Sequence, residues 1–178
     1  MQNSICVDAH KWLNVPYDSA MQFTRHKKIQ LKIFQNAGAA YLSDPEQSSD
    51  FFHYTPETSR RFRALPAWFS LMAYGREGHC EIVERNCAMA KKLGAWLEQS
   101  TKFDLLAPVR MNVVCFTLSG NRSTAEVNSF LDKVRLDGRA FFTQTTYGGR
   151  PAMRAAVSNW LTSEKDMDIT IDALQRLA

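Results

Sequence analysis

The sequence predicts an α/β fold, and three features predict it. The run Ile5-Cys6-Val7-Asp8-Ala9 is mostly apolar and passes into the polar group Asp8, His10 and Lys11, the pattern of a buried strand entering a turn. Between 78 and 100, Val83, Cys87, Ala90, Gly94 and Leu97 recur at steps of four, three, four and three, one apolar stripe on a helix of about six turns. From residue 103 onward the order is strand, helix, strand, strand, helix.

Composition narrows the function classes. The chain has 178 residues, 45% of them hydrophobic, enough for one moderate domain with a core. The net charge of +4 comes from both signs spread along the chain. The longest basic cluster, Arg25-His26-Lys27-Lys28, reads as a solvated turn, so no nucleic-acid partner is expected. No apolar run approaches ~18 residues, so no membrane span is expected. No secretory signal is read before the first strand, and a cytoplasmic location is expected. Cys6, Cys80, Cys87 and Cys115 form no C-x-x-C pair and read as buried, reduced thiols, with no metal site.

Each element follows in order. The first strand is expected to end on Lys11, with Trp12, Leu13 and Val15 next. Two readings of that lysine stay open: a solvated strand-end ammonium, or a partly desolvated amine able to form a Schiff base. Alternation over 20–24 predicts a second strand. Residues 27–35 form a short helix with Ile29, Ile33 and Phe34 on one face, stopped by Gly38. Residues 41–59, with Pro45 and Pro56, are irregular and hold the aromatic patch Phe51-Phe52-His53-Tyr54. Pro66 suits the first turn of a helix whose face is Leu65, Phe69 and Met72, closed by Gly75.

In the last third, Val113, Val114, Cys115, Phe116 and Leu118 make an apolar strand over 112–118, and Ser119-Gly120-Asn121 turns it. Ser123 with Glu126 is a capping box for a helix facing inward through Val127, Phe130, Leu131 and Val134. Strands over 140–147 and 152–160 flank Gly148-Gly149. Ser163 with Asp166 caps the last helix, with Met167, Ile171 and Leu174 facing in. Arg154 sits in an otherwise apolar strand, where burying it unpaired is costly; a structural ion pair is one reading.

The segment Asp8-Ala9-His10-Lys11-Trp12-Leu13-Asn14-Val15-Pro16-Tyr17-Asp18-Ser19-Ala20 resembles the pyridoxal-phosphate lysine segment of the group II amino-acid decarboxylases, which include the aromatic-amino-acid, tyrosine and glutamate decarboxylases. His-Lys-Trp-Leu followed by Tyr-Asp-Ser-Ala is the specific part. Thr58-Ser59-Arg60-Arg61-Phe62-Arg63-Ala64-Leu65 resembles a second segment of that family. The resemblance implies the C-terminal part of the pyridoxal-phosphate-dependent transferase (aspartate-aminotransferase-like) fold. Residues 1–75 would be the end of the large domain, 76–101 the linking helix and 102–178 the small domain.

The chemistry implied by the resemblance is decarboxylation of an L-amino acid to an amine and carbon dioxide, with Lys11 forming the Schiff base to pyridoxal 5'-phosphate. His10 would lie near the phosphate. Tyr54, with Tyr41 behind it, would protonate the substrate carbon, and Arg154 would meet the substrate carboxylate. Arg60, Arg61 and Arg63 would serve phosphate, carboxylate or subunit contacts, or a structural ion-pair cluster. Asp8 stands where many relatives have Asn, and a carboxylate there would repel a phosphate unless it points away or pairs with a cation. The expected active form is a homodimer. The ring-stacking histidine and the aspartate on the pyridine nitrogen find no match in this sequence, so the chain is expected to be the C-terminal part of a longer enzyme, with little activity alone. The aromatic patch leans towards aromatic substrates. Two other readings are another pyridoxal-phosphate reaction, transamination or an aldehyde-forming decarboxylation, and a non-catalytic fragment that binds a partner chain.

Overall fold

Ile5 and Val7 are β-branched, and Ser4–Asp8 forms strand β1. It pairs antiparallel with β2 (Ala20–Thr24), in a register running from Ser4↔Thr24 to Asp8↔Ala20. In this computed structural model, residues 3–34, 47 and 50–178 are described. They fall into two compact units, Met1–Ala73 and Tyr74–Ala178.

In the first unit, β1 is not the buried strand expected. Among the described residues its one neighbour is β2, and Ile5 is 51% exposed. A two-stranded ribbon has no second layer to cover it. The strand also stops at Asp8, so Lys11 stands in the turn that follows. Ala9, Val15 and Ala67 form a small buried cluster, with Leu13 and Met21 against it. Ser70 Oγ donates to the Leu13 carbonyl. Helix α2 (Ala64–Glu98) therefore buries Ala67 and Ser70, small residues that let the helix approach the turn closely. The expected face of Leu65, Phe69 and Met72 is exposed instead. Helix α1 (Lys27–Phe34) buries none of its residues, and Ile29 and Ile33 face solvent. The expected stop at Gly38 lies outside the described residues. Phe51–Tyr54 is a short 3-10 turn with His53 fully buried.

Gly75 closes the first helix as expected: it is non-helical and kinks the span Ala64–Glu98 into two helices. It sits inside α2 at φ 60°, ψ −169°, a left-handed value that a side chain rarely adopts. Beyond it the buried line is Ile82, Asn86, Met89, Ala90, Leu93 and Leu97. That line lies one residue away from the expected Val83 and Cys87, which are only partly covered.

The second unit is a four-stranded antiparallel sheet in the order β3-β4-β6-β5. Strands β4 (Val113–Leu118) and β5 (Thr143–Tyr147) match two expected segments with shorter bounds, and β6 (Arg150–Ala156) matches the third but starts two residues earlier and ends four earlier than expected. Strand β3 (Phe103–Leu105) was not expected; three residues are too few to show an alternation. Gly148 and Gly149 turn β5 into β6 with φ of 56° and 79°. Helices α3 (Thr124–Asp137) and α4 (Glu164–Leu177) carry both expected capping boxes. Ser123 Oγ accepts from the Glu126 backbone at 3.3 Å, and the Ser163 N–H donates to Asp166 at 2.8 Å. The core joins Leu93 and Leu97 of α2 to Phe103, Phe116 and Met153 of the sheet, Val127 and Phe130 of α3, and Leu174 of α4. Each fully buried side chain of this size contributes about 1.5–3 kcal/mol.

The cysteines are free, but they are less buried than expected: Cys6 and Cys80 are exposed, and Cys87 and Cys115 are partly covered. Among the described residues, no helix is long and apolar enough to cross a membrane.

Candidate active site

The turn between β1 and β2 carries the lysine, and backbone hydrogen bonds fix it. The Lys11 N–H donates to the Asp8 carbonyl at 3.3 Å, and the Asn14 N–H to the Lys11 carbonyl at 3.1 Å. Asn14 has φ 54°, a left-handed value that asparagine tolerates better than most residues. The Ser19 carbonyl accepts twice from His10: from its backbone N–H at 3.2 Å and from ring Nδ1 at 2.8 Å. A carbonyl only accepts, so Nδ1 carries the proton. A neutral ring then presents a lone pair at Nε2. His10 becomes a donor to phosphate at Nε2 only as an imidazolium. The ring packs on Tyr17, with centroids 3.9 Å apart.

Lys11 Nζ donates to Asp8 Oδ2 at 2.5 Å. The lysine side chain is 57% exposed, so apolar groups do not enclose the amine. The hydrogen bond from Lys11 holds the Asp8 carboxyl below its ordinary value; the charges of Lys11 and His10 act the same way, and desolvation opposes them. This pairing answers the charge question at Asp8: its carboxylate faces a cation. Pairing with a cation was one of the outcomes expected for Asp8; that the cation is Lys11 was not read, although a three-residue spacing across a turn is a usable signal.

The arginines after the 3-10 turn meet carboxylates of their own unit. Arg61 pairs with Asp18 at 2.5 Å and also donates to the Tyr17 carbonyl at 3.1 Å. Arg63 bridges Asp18 and Glu57, at 3.1 Å to each. Arg60 lies 3.9 Å from Glu57 and over the Phe51 ring at 4.3 Å. Of the readings left open for these residues, this geometry forms the ion-pair cluster. A cleft lined by Pro16, Asp18, Ser19, Arg61, Phe62, Arg63 and Pro66 opens beside the lysine turn.

Tyr54 is held elsewhere in the first unit. Its carbonyl accepts from Gln30 Nε2 at 2.8 Å, and Lys27 Nζ sits 4.9 Å from its ring centroid. Among the described residues, no hydrogen bond or ring contact joins Tyr54 to Lys11. Tyr41 lies outside the described residues. Arg154 belongs to the second unit, on β6 opposite Cys115 of β4 and Thr143 of β5. It is exposed, and no hydrogen bond or ion pair among the described residues engages its guanidinium. Among the described residues, the structural ion pair weighed for it does not form. The structure thus brings Lys11, His10 and Asp8 together.

Residues 1–119 match the family model described as the pyridoxal-dependent decarboxylase conserved domain. The chain belongs to the pyridoxal-dependent decarboxylase family. It is 29% identical to an aromatic-L-amino-acid decarboxylase of Catharanthus roseus, over 98% of this chain and 36% of that protein. It is 28% identical to a phenylacetaldehyde synthase of a Rosa hybrid cultivar, over 92% of this chain and 35% of that protein. Among solved structures, Catharanthus roseus tryptophan decarboxylase in complex with L-tryptophan matches with a TM-score of 0.82 and 26% identity, over 98% of this chain and 36% of that one. The Oryza sativa TDC structure with PLP and tryptamine matches with a TM-score of 0.86 and 21% identity, over 98% and 38%, which shows the fold. The fold is therefore a part of the pyridoxal-dependent decarboxylase architecture, and the chain spans about a third of the length of these relatives.

The cofactor of this decarboxylase family is pyridoxal phosphate, and the residues present fit its aldehyde end. Lys11 offers a primary amine, open to solvent, on a turn fixed by backbone hydrogen bonds. His10, ordered against Ser19 and Tyr17, is the adjacent side chain that would hold the phosphate.

Proposed function

We propose that this chain is part of an enzyme that decarboxylates an aromatic L-amino acid to its amine and carbon dioxide, with Lys11 holding pyridoxal phosphate. The observation that carries this reading is the Lys11 turn: an exposed amine beside an ordered His10, within the stretch that matches the family model. The names of the similar proteins support an aromatic substrate, as does the aromatic patch at 51–54. Bound pyridoxal phosphate supplies the electron sink for the pair left on the α-carbon when carbon dioxide departs.

The chain's own residues take the other tasks. Lys11 fixes the position of the reacting centre and exchanges protons there when its amine is released. His10 orients the phosphate end. Tyr54 gives its phenolic proton to the substrate carbon. Arg154, whose guanidinium is unengaged, meets the substrate carboxylate through two N–H donors. The active form is a homodimer, and its compartment is the cytoplasm.

The similarity to a phenylacetaldehyde synthase favours a second reading, in which the decarboxylated product leaves as an aldehyde. Reducing a mixture of the protein and pyridoxal phosphate with borohydride, then mapping peptides by mass, tests the anchor. Modification at Lys11, lost in Lys11→Ala, is the expected result; an unmodified Lys11 overturns the assignment. Product analysis separates amine from aldehyde.

A further inference from the structure

We infer that Asp8 is a positioning residue that receives the Lys11 ammonium whenever that amine is not joined to the cofactor, and so competes with the cofactor for it. The inference rests on the assignment of Lys11 as the cofactor-holding residue. Its basis is geometric. Asp8 is the last residue of β1, and its carboxylate meets Nζ at 2.5 Å across the turn. The pair is intramolecular, three residues apart, and braced by the Lys11 N–H to Asp8 carbonyl bond. No other hydrogen bond or ion pair among the described residues engages Nζ, so this carboxylate alone decides where the free amine rests.

The neighbouring charged groups are few. His10 is next in the turn, with its Nδ1 proton committed to Ser19. Asp18 is occupied by Arg61 and Arg63. Joining Nζ to an aldehyde removes the three ammonium protons: one leaves for solvent, two leave with the aldehyde oxygen as water, and a C=N bond takes their place. Nothing is oxidised or reduced. The Asp8 carboxylate loses its partner at that moment and regains it when a substrate amine displaces Lys11. A carboxylate at this place thus serves the lysine and not the phosphate.

The test is trace acetylation of the purified chain with acetic anhydride at fixed pH, read lysine by lysine by mass spectrometry. Lys133, exposed on α3 with no ion pair among the described residues, is the internal reference. Asp8→Asn is expected to raise the Lys11 rate relative to Lys133 about two- to fivefold, the range for an exposed pair. Asp8→Glu should return part of the protection, which a merely structural role would not do. Asp8→Ser serves as a second variant, and the melting temperature controls for folding. An unchanged Lys11 rate in Asp8→Asn and Asp8→Ser overturns the inference. In a parallel arm, pyridoxal phosphate with borohydride should label Lys11 faster in Asp8→Asn than in the parent; an equal or slower rate overturns the competition. No label at Lys11 in either protein overturns the anchor assignment, while acetylation separately reports the ion pair.

Discussion

Gly94 and Val109 meet so closely that a Cβ at position 94 would lie 2.5 Å from Val109 Cγ2. Two effects oppose each other at this site. Alanine is a better helix former than glycine by about 1 kcal/mol. Overpacking against a β-branched side chain, which has few rotamers to retreat into, costs about 1–3 kcal/mol. The clash wins, and Gly94→Ala is expected to be destabilising in urea unfolding. Gly94→Ala combined with Val109→Ala should recover much of the loss, because the two positions are coupled through one contact. Additive losses in the double variant would contradict this account.

Phe116 joins the sheet to its aromatic neighbours. Its ring lies 5.9 Å from Phe103 and 5.3 Å from Phe142, both edge-on. It is fully buried. Phe116→Ala should cost about 3–5 kcal/mol, by lost transfer energy and the cavity left behind. Equilibrium unfolding followed by far-UV circular dichroism measures it.

Acid should loosen α3 through its cap. The Ser123 backbone N–H, then Arg122 and the Ser123 hydroxyl, lower the Glu126 carboxyl from 4.5 to about 2. A folded value below the unfolded one means stability that is complete above the unfolded value and lost as pH falls towards the folded one. The window is therefore 4.5 down to about 2. Urea midpoints at pH 5 and pH 3 should differ less in Glu126→Gln than in the parent. An identical pH dependence in the two proteins would remove the cap from the account.

Arg154 is open to a test that separates ligand from scaffold. With an exposed and unengaged guanidinium, Arg154→Met should leave stability within about 0.5 kcal/mol. If the side chain meets the substrate carboxylate, affinity for L-tryptophan should fall by about 1.5–3 kcal/mol, the range for a hydrogen bond to a charged group. Affinity for tryptamine, which lacks that carboxylate, should not change. Titration calorimetry of the cofactor-loaded protein with both ligands gives the comparison.

The parts of the fold legible in the sequence are those set by local contacts. Ser123 with Glu126 and Ser163 with Asp166 announce their helices because a cap acts over three residues. Gly148-Gly149 announces its hairpin because few other pairs accept two positive φ values. Burial was less legible. The stripe on α2 was read through Val83, Cys87, Ala90, Gly94 and Leu97; the last three are buried, but its first half runs through Ile82 and Asn86 instead. Periodicity gives the pitch of a stripe, and a buried asparagine within it hides which line is innermost. Ile29, Ile33, Leu65 and Met72 lie on apolar faces that stay exposed. At the site, the motif marked Lys11 and His10, but the partner of each is a matter of turn geometry. Asp8 Oδ2 and the Ser19 carbonyl became visible only with coordinates.

A single oxygen, that of Ser19, takes both protons that His10 offers towards it. Ser19 directly precedes Ala20, the β2 residue paired with Asp8. The histidine is therefore aimed by the spacing between the two arms of the hairpin. Replacing a residue between 11 and 18 leaves that spacing intact. Adding or removing one would slide the rung by a residue and turn the side chains of one arm to the opposite face. The intervening loop works as a length gauge: its residue count is fixed by the need to bring one carbonyl back to one imidazole.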